Sequence, residues 1–125
     1  MLIVKDGLIL AVSRKDNKEL FGFCGGKLND GETTKEAAIR ETKEEVDITV
    51  TNCESIFQRV EKGEVDFLTD CYYAVEWSGV PKSLEDCAVE WLTVEEITST
   101  RAAFGEYNRR TIETFKKLYP NVVLK

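Results

Sequence analysis

Three glutamates, Glu41, Glu44 and Glu45, lie at i, i+3 and i+4 in the run RETKEEVDI. At ~3.6 residues per turn, these positions share one side of a helix. Like charges at that spacing repel by a few tenths of a kcal/mol per pair. They also lie toward the C-terminal half, where the helix dipole disfavours negative charge. A cation held between them reverses both penalties, and hard divalent ions such as Mg²⁺ take oxygen ligands of this kind. The same residues also fit a solvated, charge-rich helix, with Glu36–Arg40 and Arg40–Glu44 as ordinary i, i+4 pairs.

The other side of this helix carries Ile39, Thr42 and Val46, a stripe that faces a core. Before it runs GGKLNDGE, a glycine-rich loop. Gly26 is followed after five residues by Glu32, then after seven more by Arg40-Glu41-Thr42-Lys43-Glu44-Glu45, and Ile48 closes the stretch. This pattern resembles the Nudix box, G-x5-E-x7-R-E-U-x-E-E-x-G-U, where U is aliphatic. The glycine, the first glutamate, the arginine and the three clustered glutamates match in register. Thr42 stands where an aliphatic residue is usual, and Asp47 where glycine is usual. Cys24 replaces the proline common before the glycine pair.

The resemblance implies a set of roles. Glu44 and Glu45 become the main metal ligands, and Glu41 a ligand or the base that deprotonates water. The Gly26 carbonyl completes the coordination of Mg²⁺, with Mn²⁺ as the other cation. Glu32 and Arg40 pair and brace the loop. Arg14 and Phe21 or Phe23 resemble family positions that reach substrate, and Lys27 follows the glycine pair and touches phosphate. Glu85 lies five residues before Glu90 and matches the loop acid that serves as ligand or base in some members. Each of these also has a plainer reading: strand-end or loop surface charge for Arg14, Lys27 and Glu85, and core for Phe21 and Phe23. The segment VEWLTVEEI resembles a second family landmark, a Glu-Trp strand leading into an acidic turn.

Composition narrows the function classes. A chain of 125 residues fits one domain, 1–125, with a real core. The net charge is −6 with no basic cluster, which argues against a grip on long nucleic acid. Small phosphorylated substrates stay open, because a bound metal supplies positive charge. The four cysteines are widely spaced and there is no histidine, so zinc is not expected and catalysis must lean on carboxylates and metal. No long apolar run or signal segment is present, and the chain reads as cytoplasmic, not membrane-bound, with reduced thiols.

The elements that must position these groups follow in order. Met1–Val4 and Leu8–Ser13 are apolar runs joined by Lys5-Asp6-Gly7, a hairpin turn. Leu20–Cys24 enters the glycine loop. Asn29-Asp30-Gly31 is a turn, and Thr33 with Glu36 makes a capping box for a helix that runs to about Val46. Asp47 stops it by visiting the left-handed region. The Thr42 hydroxyl bonds back to a helix carbonyl. Ile48–Glu61 is extended, Lys62-Gly63 turns, and a long strand alternates Val65, Phe67, Thr69, Cys71, Tyr73, Val75 and Trp77 on one apolar face. Ser78–Pro81 ends it. Ala88–Leu92 is a short strand, Thr93 with Glu96 caps a helical turn, and Gly105–Tyr119 is a helix with Tyr107, Ile112, Phe115 and Leu118 on its apolar side.

The fold this resemblance implies is α/β, an α/β/α sandwich with a mixed curved β-sheet flanked by helices. The implied function is a MutT-like pyrophosphohydrolase that cleaves a phosphoanhydride of a nucleoside triphosphate with metal-activated water. Hydrolysis of ADP-ribose, a nucleotide sugar or a dinucleotide is the next reading. A non-catalytic nucleotide-binding or regulatory module is the alternative of another class, and Thr42 and Asp47 are its support. Tyr72, Phe104 and Tyr107 are the aromatic candidates for a base pocket. The partner is a small nucleotide, and the chain is a monomer or homodimer.

Overall fold

The structure is a computed structural model that describes residues 1–61 and 67–125. Strands β1 (Val4–Lys5) and β2 (Leu8–Ser13) form the first hairpin. Asp6 and Gly7 both have positive φ, 53° and 80°, as a two-residue turn matched to strand twist requires. β2 is the centre of its sheet, pairing antiparallel with β1, with β3 (Phe21–Gly22) and with β6 (Val89–Leu92). β4 (Thr49–Glu61) and β5 (Phe67–Ser78) form a long antiparallel hairpin with register shifts. The expected turn at Lys62-Gly63, and Val65 at the strand's start, lie outside the described residues.

Leu2 fastens the hairpin to the first sheet. Its N–H donates to the Tyr72 carbonyl at 2.7 Å, and its carbonyl accepts from Ala74 N–H at 2.9 Å, in parallel sense. The sheet is therefore mixed, as expected. Helix α1 (Thr34–Val46) covers one part of it, and α2 (Gly105–Leu118) covers another. Between β6 and α2 the chain makes a π-helical turn, Glu96–Thr100. The capping boxes at Thr33/Glu36 and Thr93/Glu96 are both formed.

Two apolar clusters fill the interior. One gathers Ile3, Leu10, Val46, Ile48, Val50, Cys53, Tyr72 and Ala74; the other gathers Leu2, Ile9, Phe21, Cys71, Leu92, Ile97, Ile112 and Phe115. β5 thus contributes to both, Tyr72 and Ala74 to the first and Cys71 to the second. This corrects the single apolar face read from the alternation. Val75, assigned to that face, is 40% exposed. A strand buried on both sides loses its alternating signature. The stripe on α2 is also shifted. Asn108, Thr111, Ile112 and Phe115 are buried, and Leu118 is 51% exposed. Tyr73 meets Phe115 edge-on at 4.8 Å and Tyr119 at 4.7 Å. Among the described residues, no helix is long and apolar enough to cross a membrane.

Candidate active site

Arg40 organises the glycine-rich loop. Its guanidinium takes both Glu32 oxygens in a fork, Nε to Oε2 at 2.6 Å and Nη2 to Oε1 at 2.9 Å. Nη2 also donates to the Lys27 carbonyl at 2.8 Å. Nη1 reaches the other way, to Glu41 Oε1 at 2.7 Å and Glu44 Oε2 at 3.1 Å. The planar fork of arginine suits such bidentate contacts better than lysine's point charge. Glu32 in turn accepts from Asn29 N–H at 2.9 Å, closing the turn before the helix. The Arg40 guanidinium holds the Glu32 carboxyl below its ordinary range. Glu36, by contrast, is engaged in the cap with Thr33, so the surface-helix pairing of Glu36 with Arg40 is replaced by one with a structural job on each side.

Of the four carboxylates expected at a metal, three converge. Glu41, Glu44 and Glu85 each bring an oxygen within 4.8 Å of one another. Glu85 arrives from the loop before β6, where Lys15 lies 3.4 Å away. Glu45 turns toward the glycine loop, and its Oε1 accepts from Gly25 N–H at 3.2 Å. Burial pushes the Glu45 carboxyl up to about 7; the Gly25 N–H opposes this, and the nearby Glu85 and Glu41 charges add to it. A Cβ built on Gly26 would lie 2.3 Å from the Glu41 carboxylate, so only glycine lets the backbone lie against that group. Clustered oxygen donors of this number and type suit Mg²⁺ or Mn²⁺.

Beside this cluster opens a cavity of about 1200 Å³. Gly25, Gly26 and Lys27 form one edge, and Phe23, Phe104 and Tyr107 supply aromatic surface. Lys27 lines this cavity. Phe21 does not: it is fully buried in the core with the Arg101 guanidinium 4.6 Å over its ring, and Phe23 is the one that lines the cavity. Positions i and i+2 of a continuous strand share a face, so the two separate only because β3 ends at Gly22 and Phe23 already lies in the loop. Arg14 is exposed and forked to Asp16 at 2.8 and 2.9 Å, with its guanidinium 6.0 Å from the Phe104 ring at the cavity rim. Tyr72 is 9% exposed and does not form a stacking surface. Its hydroxyl lies 2.7 Å from Thr34 Oγ1, and Thr34 donates to Asp70 Oδ2.

Residues 1–115 match the family described as the NUDIX domain. The chain belongs to the Nudix family. It is 29% identical over 127 residues to the 8-oxo-dGTP diphosphatase of Escherichia coli (strain K12), covering 89% of this chain and 96% of that one. It is 31% identical over 100 residues to the CTP pyrophosphohydrolase of the same organism, covering 76% and 73%. In fold it resembles the E. coli ORF135 protein, with a TM-score of 0.79 at 24% identity over 96% of this chain and 87% of that one. The MutT Nudix hydrolase from Burkholderia pseudomallei gives a TM-score of 0.73 at 24% identity, covering 89% and 92%. The Nudix fold and the class of hydrolases acting on phosphoanhydrides follow from these likenesses.

The departures from the Nudix box are absorbed locally. Thr42 is fully buried, and its hydroxyl donates to the Ala38 carbonyl at 2.7 Å, so no polar group is stranded in the core. Asp47 adopts φ 61°, the left-handed cap a glycine would supply, and pairs with Lys43 at 2.7 Å. Neither change touches a carboxylate of the cluster. Cys24 is buried, with its thiol pushed up to about 12 by desolvation, so it is an inert wall rather than a nucleophile. Four polar lining residues of the Nudix cavity escaped the sequence reading: Thr34, Asp70, Glu106 and Asn108. Asn108 is 1% exposed, and its Nδ2 donates to the Ile97 carbonyl at 2.9 Å. Its Oδ1 has no hydrogen-bond partner among the described residues. A polar residue on the buried stripe of a helix is the signal that would have found it.

Proposed function

We propose that this Nudix domain is a divalent-metal-dependent pyrophosphohydrolase that cleaves a phosphoanhydride of a nucleoside triphosphate. The observation that carries this reading is the meeting of Glu41, Glu44 and Glu85 within 4.8 Å, beside Gly26 and at the edge of a nucleotide-sized cavity. Glu41, Glu44, Glu45 and Glu85, with the Gly26 carbonyl, are the groups that would hold Mg²⁺ or Mn²⁺. When bound, such an ion neutralises pyrophosphate charge and lowers the pKa of a water molecule. The names of the two curated relatives, a dGTP-type and a CTP-type hydrolase, support a nucleotide substrate.

The chain's own residues supply orientation and proton handling. Arg40 fixes Glu41 and Glu44 in one arrangement while tying both to the loop through Glu32. Lys27, exposed at the cavity edge, would meet a substrate phosphate. One carboxylate accepts the proton of the attacking water as its oxygen bonds to phosphorus and the bridging P–O bond breaks. Glu41, Glu45 and Glu85 are the candidates for that role.

The test is product analysis on nucleoside triphosphates, ADP-ribose, nucleotide sugars and dinucleotides, with Mg²⁺, with Mn²⁺ and with chelator. Expected is metal-dependent cleavage of triphosphates to monophosphate and pyrophosphate. Glu44→Gln should cut kcat by ~100-fold or more with unchanged circular dichroism. Near wild-type turnover in Glu44→Gln would refute the assignment. Absence of cleavage across the panel by a folded protein would leave a nucleotide-binding module.

A further inference from the structure

Glu85 reaches the carboxylate cluster from a segment without helix or strand, residues 79–88, between β5 and β6. The start of this segment is tied to the helix that carries the other glutamates. Lys82 N–H and Leu84 N–H donate, each at 3.0 Å, to the Val46 and Glu45 carbonyls at the end of α1. Its end is tied to β2, where Ser13 N–H donates to the Ala88 carbonyl and Ala88 N–H to Ser13 Oγ, both at 2.8 Å. Between these ties, the residue next to Glu85 is gripped from a third place. Lys18 Nζ donates to the Asp86 carbonyl at 2.9 Å and to Asp86 Oδ1 at 2.6 Å, across 68 positions of sequence. Lys18 stands on a closed turn. Asn17 Oδ1 accepts from Glu19 N–H at 3.0 Å, and the Asn17 carbonyl accepts from Leu20 N–H at 3.3 Å. Lys15, on the same loop, meets Glu85 itself, Nζ to Oε2 at 3.4 Å. The two lysines therefore differ in what they hold: Lys15 faces the carboxylate of the site, and Lys18 grips the main chain beside it.

We propose that Lys18 is a positioning residue: through Asp86 it fixes the segment that presents Glu85 to Glu41 and Glu44, and so raises the affinity of the cluster for a divalent cation. This rests on the reading of that cluster as the metal site. The reason is entropic. A carboxylate on an unrestrained segment has to be ordered when a cation arrives, and that loss of freedom weakens binding. A segment held beforehand avoids the loss. A charge-assisted bond to a backbone carbonyl suits this task, because it restrains the main chain as well as a side chain. Charge alone argues in the opposite direction. An ammonium near the cluster repels a cation, and its removal leaves the Asp86 carboxylate uncompensated, so on electrostatics loss of Lys18 tightens metal binding. Positioning requires that it weaken. The sign of the effect separates the two.

The test measures Mn²⁺ binding without nucleotide, from the electron paramagnetic resonance signal of the free ion, on the wild-type chain and its variants. Lys18 is half-exposed, so methionine there disturbs no core. Lys18→Met should raise the Mn²⁺ Kd ~3- to 5-fold with an unchanged circular dichroism spectrum. Lys15→Met takes a cation away from Glu85 without releasing the segment, and should lower the Kd about twofold. In a Glu85→Gln background, Lys18→Met should add less than about 1.5-fold, because its effect passes through Glu85. Unchanged or tighter Mn²⁺ binding by Lys18→Met, equal weakening by Lys15→Met, or the same weakening with and without Glu85 would each overturn the proposal while leaving the metal site in place. Absence of Mn²⁺ binding by the wild type would sink the metal reading itself, and this assignment with it.

Discussion

Glu45 shows how a single side chain trades stability for readiness. Its carboxyl is pushed up to about 7 by burial, with Glu85 and Glu41 nearby, and a Gly25 N–H as its partner. The ionised form is therefore costly in the metal-free fold. Glu45→Gln removes the charge and keeps a carbonyl oxygen to accept from Gly25. Expected is a metal-free Tm raised by about 3–6 °C, the equivalent of roughly 1 kcal/mol in a domain of this size. The same variant should lose most turnover and the Tm increase that saturating Mg²⁺ gives wild type. Thermal melts with and without Mg²⁺ read both at once. A lowered metal-free Tm would show that the buried charge is not a liability. At the same scale, Gly26 is legible as glycine for a reason only the structure supplies. Any side chain there would collide with Glu41.

Among the elements, α1 carries nearly all the chemistry, and its start is held by a capping box. Thr33 Oγ1 accepts from Glu36 N–H at 3.1 Å, and Glu36 accepts from Thr33 N–H at 2.9 Å. The turn after β6 repeats the device with Thr93 and Glu96. Both glutamates lie below their ordinary carboxyl range, chiefly through the backbone N–H groups they accept. A depressed folded pKa contributes stability above the unfolded value of about 4.5. That contribution is lost as pH falls through the folded value. Urea midpoints should therefore drop from pH 6 to pH 3, and Glu36→Gln with Glu96→Gln should flatten the drop. An identical pH profile in the double variant would refute this. Thr33→Ala should cost about 1 kcal/mol at neutral pH. The cap, the helix end at Val46 and the Asp47 stop were all readable from local residue types, because caps involve neighbours in sequence.

For the whole molecule, the decisive feature is that β5 has cores on both sides, with Leu2 binding the long hairpin to the β2 sheet. Phe115 sits fully buried in the second core against Tyr73 and Tyr119. Phe115→Ala should cost about 3–5 kcal/mol. Because α2 also lines the cavity, a nucleoside triphosphate should bind more weakly to this variant, although no carboxylate of the cluster is altered. Denaturant unfolding followed by fluorescence and by circular dichroism should still give coincident single transitions. Separate transitions would show that the two cores unfold independently.

What the chain alone determined was what depends on short spacing. The i, i+3, i+4 glutamates, the Gly26–Glu32–Arg40 register and both capping boxes are set by helix geometry and nearest neighbours. Their type and order sufficed to place the chain in the Nudix family and to expect a metal and a phosphoanhydride. Tertiary packing decided the rest. It carried Glu85 across from a distant loop to meet Glu41 and Glu44. It buried Phe21 and turned Phe23 to the cavity, because β3 ends at Gly22 and the chain leaves the strand direction before Phe23. It covered both faces of β5, which erased the alternation that sequence reading relies on. It also put Asp70 against Thr34 and Asn108 beneath the π-helical turn, contacts that span 36 and 11 residues and leave no periodic trace in the sequence.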